Sequence, residues 1–183
     1  MGARFELQPT LADPRVRVRP LHDDDFESLH AVAADPLIWE QHPNPTRWQR
    51  EVFRTYFAGA MASGGALLVS DTASGALIGS SRYYDLDIPG SQVAIGYTFF
   101  ARRCWGKGYN RALKALMLDH AFRFVERVVF HVGAANRRSR IAMERLGGQL
   151  IGEVQMAYHG EAMHTNVVYA IERAQWRGRQ GSG

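Results

Sequence analysis

Apolar and polar positions change their period several times along this 183-residue chain. Near the start, Val16, Val18 and Leu21 alternate with Arg17 and Arg19, the two-residue period of a short strand. His22-Asp23-Asp24-Asp25 follows. An Asp there can cap a helix, and Phe26, Leu29, His30 and Ala33 recur at helical spacing until Asp35-Pro36 ends the run. A Pro-rich loop, 39–45, leads to Thr46, which is expected to cap a second helix. Its stripe is Trp48, Val52, Phe53, Tyr56, Phe57, Ala60 and Met61, and Ser63-Gly64-Gly65 stops it.

The period then returns to two. Strands are expected at 66–70 and 76–84, joined by the turn Asp71-Thr72-Ala73-Ser74-Gly75. After Ile88-Pro89-Gly90-Ser91 comes a strand at 93–100, with Val93, Ile95, Tyr97 and Phe99 on one face. The clearest helix is 110–125, striped by Leu113, Leu116, Met117, Ala121 and Phe124. A β-branched run at 128–132 precedes a helix from Asn136 through Ile141, Ala142 and Leu146, closed by Gly147-Gly148. Strands at 150–156 and 166–171 end the pattern. The order β-α-α-β-β-β-α-β-α-β-β, without repeat or linker, predicts one α/β domain over residues 15–176. Residues 1–14 are an N-terminal extension, and the Gly-, Arg- and Gln-rich end, 177–183, is expected to be a flexible tail.

Composition narrows the class. Hydrophobic residues make up 46% and charged residues 22%, and four Trp, nine Phe and seven Tyr supply a core, which excludes disorder as the main state. Lys and Arg outnumber Asp and Glu by 22 to 18, a net charge of +4 that suits an anionic ligand or a nucleic acid. The single cysteine, Cys104, excludes a disulfide framework and a cysteine-based zinc site, and it fits a reducing compartment. The first ten residues carry Arg4 and Glu6 and lack the apolar core of a signal peptide. No apolar run nears the ~20 residues of a membrane span, so a cytoplasmic protein without a membrane partner or metal is expected.

The segment richest in chemistry is Arg102-Arg103-Cys104-Trp105-Gly106-Lys107-Gly108-Tyr109-Asn110, between a strand and the long helix. A helix N-terminus offers unpaired N–H groups and a partial positive charge. Gly106 and Gly108 let the backbone approach an anion, while Arg102, Arg103 and Lys107 add full charges, so the loop reads as a phosphate or pyrophosphate cradle. A Walker loop is excluded because Gly108 follows Lys107, and a dinucleotide fingerprint because position 111 is Arg. The cations beside Cys104 would lower its pKa.

Arg103-Cys104-Trp105-Gly106-Lys107-Gly108 resembles the R/Q-x-x-G-x-G/A loop of the GNAT superfamily of acyl-CoA-dependent N-acyltransferases. Ile95-Gly96-Tyr97 on the preceding strand, Asn136-Arg137-Arg138-Ser139 with Arg145-Leu146-Gly147 in the next helix, and Val167-Val168-Tyr169 on the last strand extend the resemblance over about residues 16–176. It is most similar to the branch that includes ribosomal-protein N-terminal acetyltransferases. The resemblance implies a mixed, mostly antiparallel twisted sheet of about seven strands, helices on both faces, and a central splay that admits acyl-CoA.

The same resemblance implies acetyl-CoA (coenzyme A) as cofactor and direct transfer of an acetyl group to a primary amine, on a small molecule or a protein N-terminus. By carry-over, the backbone from Arg103 to Tyr109 cradles pyrophosphate, Thr98-Phe99-Phe100 pairs with the pantetheine amides, Asn136 bonds the pantetheine arm and Ser139 lies near the sulfur. Arg137, Arg138 and Arg140 are expected at the 3′-phosphate end of the coenzyme or in water. The family's usual Glu before Ile-Gly-Tyr is Ala94 here, and its usual Tyr seven residues past the Asn is Met143. Ser139 is then the candidate acid, and Glu40, His42, Glu153, His159, His164 or water the base. Trp39, Glu40, His42, Tyr158 and His164 fall on the two loops that flank the family's acceptor cleft. Two other readings compete: a non-catalytic acyl-CoA sensor of the same fold, and a nucleic-acid or ribosome-surface binder prompted by the sequence pI of about 9.5. The aromatic second helix serves a core or a homodimer face equally.

Overall fold

The computed structural model describes residues 4–157 and 161–180. Eight strands are laid down in chain order as β1 (Leu11–Ala12), β2 (Val16–Pro20), β3 (Ala66–Asp71), β4 (Leu77–Asp87), β5 (Gln92–Phe100), β6 (Arg127–Gly133), β7 (Gln149–Ala157) and β8 (Met163–Glu172). They form one sheet in the spatial order β1-β2-β3-β4-β5-β6-β8-β7, antiparallel except for the parallel pair β5 and β6. The helices are α1 (Phe26–Ala33), α2 (Arg50–Ser63), α3 (Tyr109–Ala121), α4 (Arg137–Leu146) and α5 (Arg173–Gln180). This is the α/β architecture expected, with one short strand more: Leu11 and Ala12 add an edge to β2.

Both faces of the sheet are covered, and β3 shows it residue by residue. Leu67 and Val69 join one core with Leu113 and Met117 of α3, Met143 and Leu146 of α4, and Trp176 of α5. Ala66 and Leu68 join the other, with Leu29 of α1 and Phe53, Tyr56 and Phe57 of α2. A strand buried on both sides reads as a continuous apolar run, as Ala66-Leu67-Leu68-Val69 does.

Four local expectations are corrected. The second helix begins at Arg50, not at Thr46: Asn44 Oδ1 takes the Thr46 hydroxyl at 2.9 Å in a turn of its own, and Gln49 stands at the helix boundary. The third helix stops at Ala121, and Phe122–Val125 continue as turns. The end of the chain is a helix rather than a frayed tail as far as Gln180, with Arg179 donating to the Leu146 carbonyl at 2.6 Å and Trp176 to Asp119 at 2.7 Å.

The fourth correction positions the site. β4 sets Ser80 opposite Phe99 and Arg82 opposite Gly96, so Tyr97 and Thr98 together face Ser81. This is a β-bulge, with Tyr97 at φ +54°. The bulge breaks the alternation: Val93, Ile95 and Phe100 face α3, while Tyr97 and Phe99 turn to the α1–α2 side.

Candidate active site

The bulge coincides with a split in the sheet. β5 pairs with β6 at Gln92–Arg127, Val93–Val128 and Ala94–Val129 and nowhere beyond among the described residues, while β6 stays paired with β8 along its whole length. From Ile95 onward one edge of β5 is therefore released from the ladder. A cavity of about 790 Å³ opens there, walled by 95–100 of β5 on one side and 130–133 of β6 on the other. Unpaired strand edges bind extended chains through main-chain hydrogen bonds.

One end of the cavity is the glycine loop. Gly108, at φ +82°, is the residue before α3, and no side chain caps this helix. The first-turn N–H groups are left for another acceptor. Gly106, at φ +70°, has nothing within 4 Å of where a Cβ would stand, so the space above it is open. Cys104, Trp105, Gly106, Gly108, Tyr109 and Asn110 all line the cavity. The loop's own cations do not. Arg102 is ion-paired with Asp35, Arg103 reaches the Leu77 carbonyl at 3.4 Å, and the Lys107 carbonyl accepts a hydrogen bond from Arg15. The arginines that do line the cavity are Arg111, Arg137, Arg138 and Arg145, with Arg47 on the far wall. Of the helical arginines, Arg138 stacks 4.0 Å over the Trp105 ring and donates to the Ile38 carbonyl. Arg140 is turned instead to the Tyr169 hydroxyl and the Ala134 carbonyl.

Burial pushes the Cys104 thiol up, against a smaller downward pull from Arg103, which corrects the lowered value expected from the neighbouring cations. Asn136, buried, caps α4 by accepting from the Ser139 N–H at 3.2 Å, and both residues line the cavity. So do Thr98, Phe99, Phe100 and Met143. Ala94 is fully buried with Val129 and Ala170.

The opposite end is built by the loop before α2. Gly133 at the end of β6 is approached so closely by Pro43 that a Cβ would stand 2.6 Å from Pro43 Cγ, so only glycine lets this loop close on β6. Trp39 is buried, donates from Nε1 to the Ala33 carbonyl at 2.7 Å and packs on Phe99. His42 lines the cavity with its Nδ1 accepting from the Asn44 N–H at 2.9 Å and its Nε2 3.2 Å from Arg47 Nη1. Burial first, then the Arg47 charge, hold its pKa well below 6.5. Nδ1 is thus committed to the Asn44 N–H, which makes the imidazole a brace for the loop. Glu40 and Glu153 are exposed away from the cavity, and His164 lies on β8 opposite Met156 outside its lining. Tyr158 and His159 fall outside the described residues.

Three cavity groups carried no assigned role in the sequence. His131 lines the wall with Nδ1 2.7 Å from the Tyr84 hydroxyl, and burial lowers its pKa below 6.5. Lys114 is 3% exposed, donates to Thr98 Oγ1 at the cavity wall, and is pushed down to about 7 by burial. Arg47, 1% exposed, is ion-paired with Glu161.

The sequence matches the family model for the acetyltransferase (GNAT) domain over residues 15–149. The chain belongs to the GNAT acetyltransferase family. Among curated proteins, a Bacillus subtilis protein called "Putative ribosomal N-acetyltransferase YdaF" is 28% identical over 109 residues. The stretch makes up 58% of this GNAT chain and 59% of that protein, so the match spans about three-fifths of the relative's length. Among solved structures, a GCN5-related N-acetyltransferase from Brucella melitensis superposes with a TM-score of 0.82 at 18% identity, covering 96% of this chain and 83% of that one. A spermidine N-acetyltransferase from Vibrio cholerae, in complex with CoA and spermine, gives a TM-score of 0.67 at 16% identity, covering 90% and 99%. At these identities the structural likeness establishes the fold. Among the described residues no helix is long and apolar enough to cross a membrane.

Proposed function

We propose that this GNAT protein moves an acetyl group from acetyl-CoA to a primary amine by direct transfer. The observation that carries the reading is the released edge of β5 from Ile95 onward, which runs along a cavity ending at the uncapped N-terminus of α3. The fit to the coenzyme rests on two features of this chain: an edge that offers main-chain groups to pantetheine amides, and open space over Gly106 with first-turn N–H groups for pyrophosphate. Thr98, Phe99, Phe100, Asn136 and Ser139 are proposed along the pantetheine arm, and residues 103–110 at the diphosphate through their backbone.

The thioester supplies the activated acyl group. The chain's part is to hold the amine against it, to take two protons from the ammonium nitrogen, one before attack and one as the C–N bond forms, and to return one of them to sulfur as the C–S bond breaks while the other leaves to solvent. His131 is proposed to take the ammonium proton, because burial keeps it neutral and the Tyr84 hydroxyl fixes its ring. With Nδ1–H donating to the Tyr84 oxygen, Nε2 is the proton acceptor. Ser139 is proposed to pass a proton to the leaving sulfur. An acyl-CoA sensor is the second reading, favoured by the apolar Ala94 and Met143, which stand where the family resemblance puts a base and an acid respectively.

Acetyl-CoA at ~100 times its dissociation constant should raise stability by about 2.7 kcal/mol, read by thermal unfolding. Gly106→Trp, which puts an indole into the open space over that glycine, should remove that gain, with circular dichroism checking that the variant is folded. Free CoA released in the presence of an amine panel separates enzyme from sensor, since a sensor binds without turnover. No thermal shift with acetyl-CoA refutes both.

A further inference from the structure

Lys114 is a buried amine to which the transfer step gives no part. It stands inside α3, is 3% exposed and lines the cavity. Its Nζ meets both walls of the split: it donates to Thr98 Oγ1 on β5 and lies 5.9 Å from the centroid of the Phe130 ring on β6. Both of those residues line the cavity, beyond the Ala94–Val129 pair that last joins the two strands. The amine therefore lies across the gap, where a ligand entering the split meets it.

An ammonium carries three donors and no acceptor. Thr98 takes one of them, and among the described residues no other acceptor and no carboxylate is bonded to Nζ. The titratable groups of the surrounding elements are engaged elsewhere. The Tyr83 hydroxyl of β4 donates to the Met117 carbonyl, His131 of β6 is bonded to the Tyr84 hydroxyl, and Glu144 of α4 accepts from Tyr169. Cys104, His42 and the cavity arginines line the same space, yet burial alone lowers the Lys114 pKa, to about 7. A methionine would fill the same volume without that cost, so packing does not account for the amine. A desolvated cation on the wall of a cleft is the mark of a binding group.

We propose that Lys114 is a coenzyme-binding residue, its ammonium held by Thr98 and donating to an amide carbonyl of the pantetheine arm. The first-turn N–H groups of α3 are proposed for the diphosphate, and Lys114 lies further along that helix, beside the stretch of β5 proposed for the arm. An amide offers this group only its carbonyl, since an ammonium cannot accept. The coenzyme's phosphates favour the charged amine, so proton and coenzyme bind together. The inference rests on the acetyl-transfer reading, and it adds a residue and a proton to the cofactor site.

The test is calorimetric titration of the wild-type protein and of Lys114→Met with two probes, acetyl-CoA and 3′-phospho-ADP, which is the coenzyme without its pantetheine arm. Acetyl-CoA should bind the variant about tenfold more weakly, the factor carried by one charge-assisted hydrogen bond, while 3′-phospho-ADP should bind both proteins alike. No loss with acetyl-CoA, or an equal loss with both probes, overturns the contact to the arm and leaves the transferase standing.

A second measurement reads the proton. The acetyl-CoA titration is repeated in buffers of different ionisation enthalpy. A tenfold preference for the charged amine raises its pKa from about 7 to about 8, so at about pH 7.5 the wild-type protein should take up about half a proton more than the variant. Equal uptake by the two proteins overturns the proposal. Acetyl-CoA that binds neither protein tells against the acetyl-transfer reading instead.

Discussion

Replacing Lys114 by methionine should stabilise the protein, and by an amount that depends on pH. Lys114 is 3% exposed in the middle of α3, its Nζ donates to Thr98 Oγ1, and desolvation holds its pKa at about 7 rather than 10.5. Between those values the unfolded chain keeps the lysine proton and the folded chain sheds it. The unfolded state then binds more protons, so stability rises with pH across this window by about 1.4 kcal/mol per unit. Below about pH 7 both states are protonated and the full burial penalty, about 5 kcal/mol, is present. Methionine has similar length and no charge, and Thr98 keeps its hydrogen bond to Ser81 at 2.8 Å. Urea unfolding of both proteins at about pH 6, 8 and 10 should show a gap of several kcal/mol at the acid end that closes as pH rises. Parallel stability curves for the two proteins would refute the argument that Lys114 is desolvated in the folded state.

Other outcomes follow from single contacts. If His131 accepts the ammonium proton, kcat/KM should fall as pH drops through its folded pKa, which lies below 6.5, and His131→Gln should lower the rate and erase that acid limb. Gly133→Ala places a Cβ 2.6 Å from Pro43 Cγ and should cost about 1–3 kcal/mol in thermal unfolding, with the acceptor's KM raised as the loop moves. Asn136→Ala should cost about 1 kcal/mol through the lost cap on Ser139 N–H, and Asn136→Asp should recover it. The Cys104 thiol, buried with its pKa raised, should resist alkylation at about pH 8 until urea unfolds the chain.

The element order, the helix caps and the glycine loop before α3 were legible from local signals, because these depend on neighbours a few residues apart. Gly64 and Gly147 at helix ends, Asn136 as a cap and the Gly106–Gly108 pair before α3 all act within one turn of themselves, and the fold keeps each in that role. The Tyr97 bulge left no such mark. It exists because β4 and β5 pair out of step, and it moves Tyr97 and Phe99 to the face opposite the one their spacing from Ile95 implies. Charged residues within strands and helices were equally silent. Arg82 alternates with Tyr83 and Lys114 follows Leu113 just as solvent-facing residues would, yet both are buried by elements that arrive from elsewhere.

The loop cations show the converse. Arg102 and Arg103 looked like phosphate ligands from their place beside the glycines, but Asp35 and the Leu77 carbonyl, far off in the chain, turn them away. Arg47 and Glu161 meet across 114 positions. Backbone conformation follows from a residue and its neighbours. The direction of a long charged side chain follows from whichever opposite charge or aromatic face the finished sheet and helices bring within a few ångströms, and that is settled only when the chain has closed on itself.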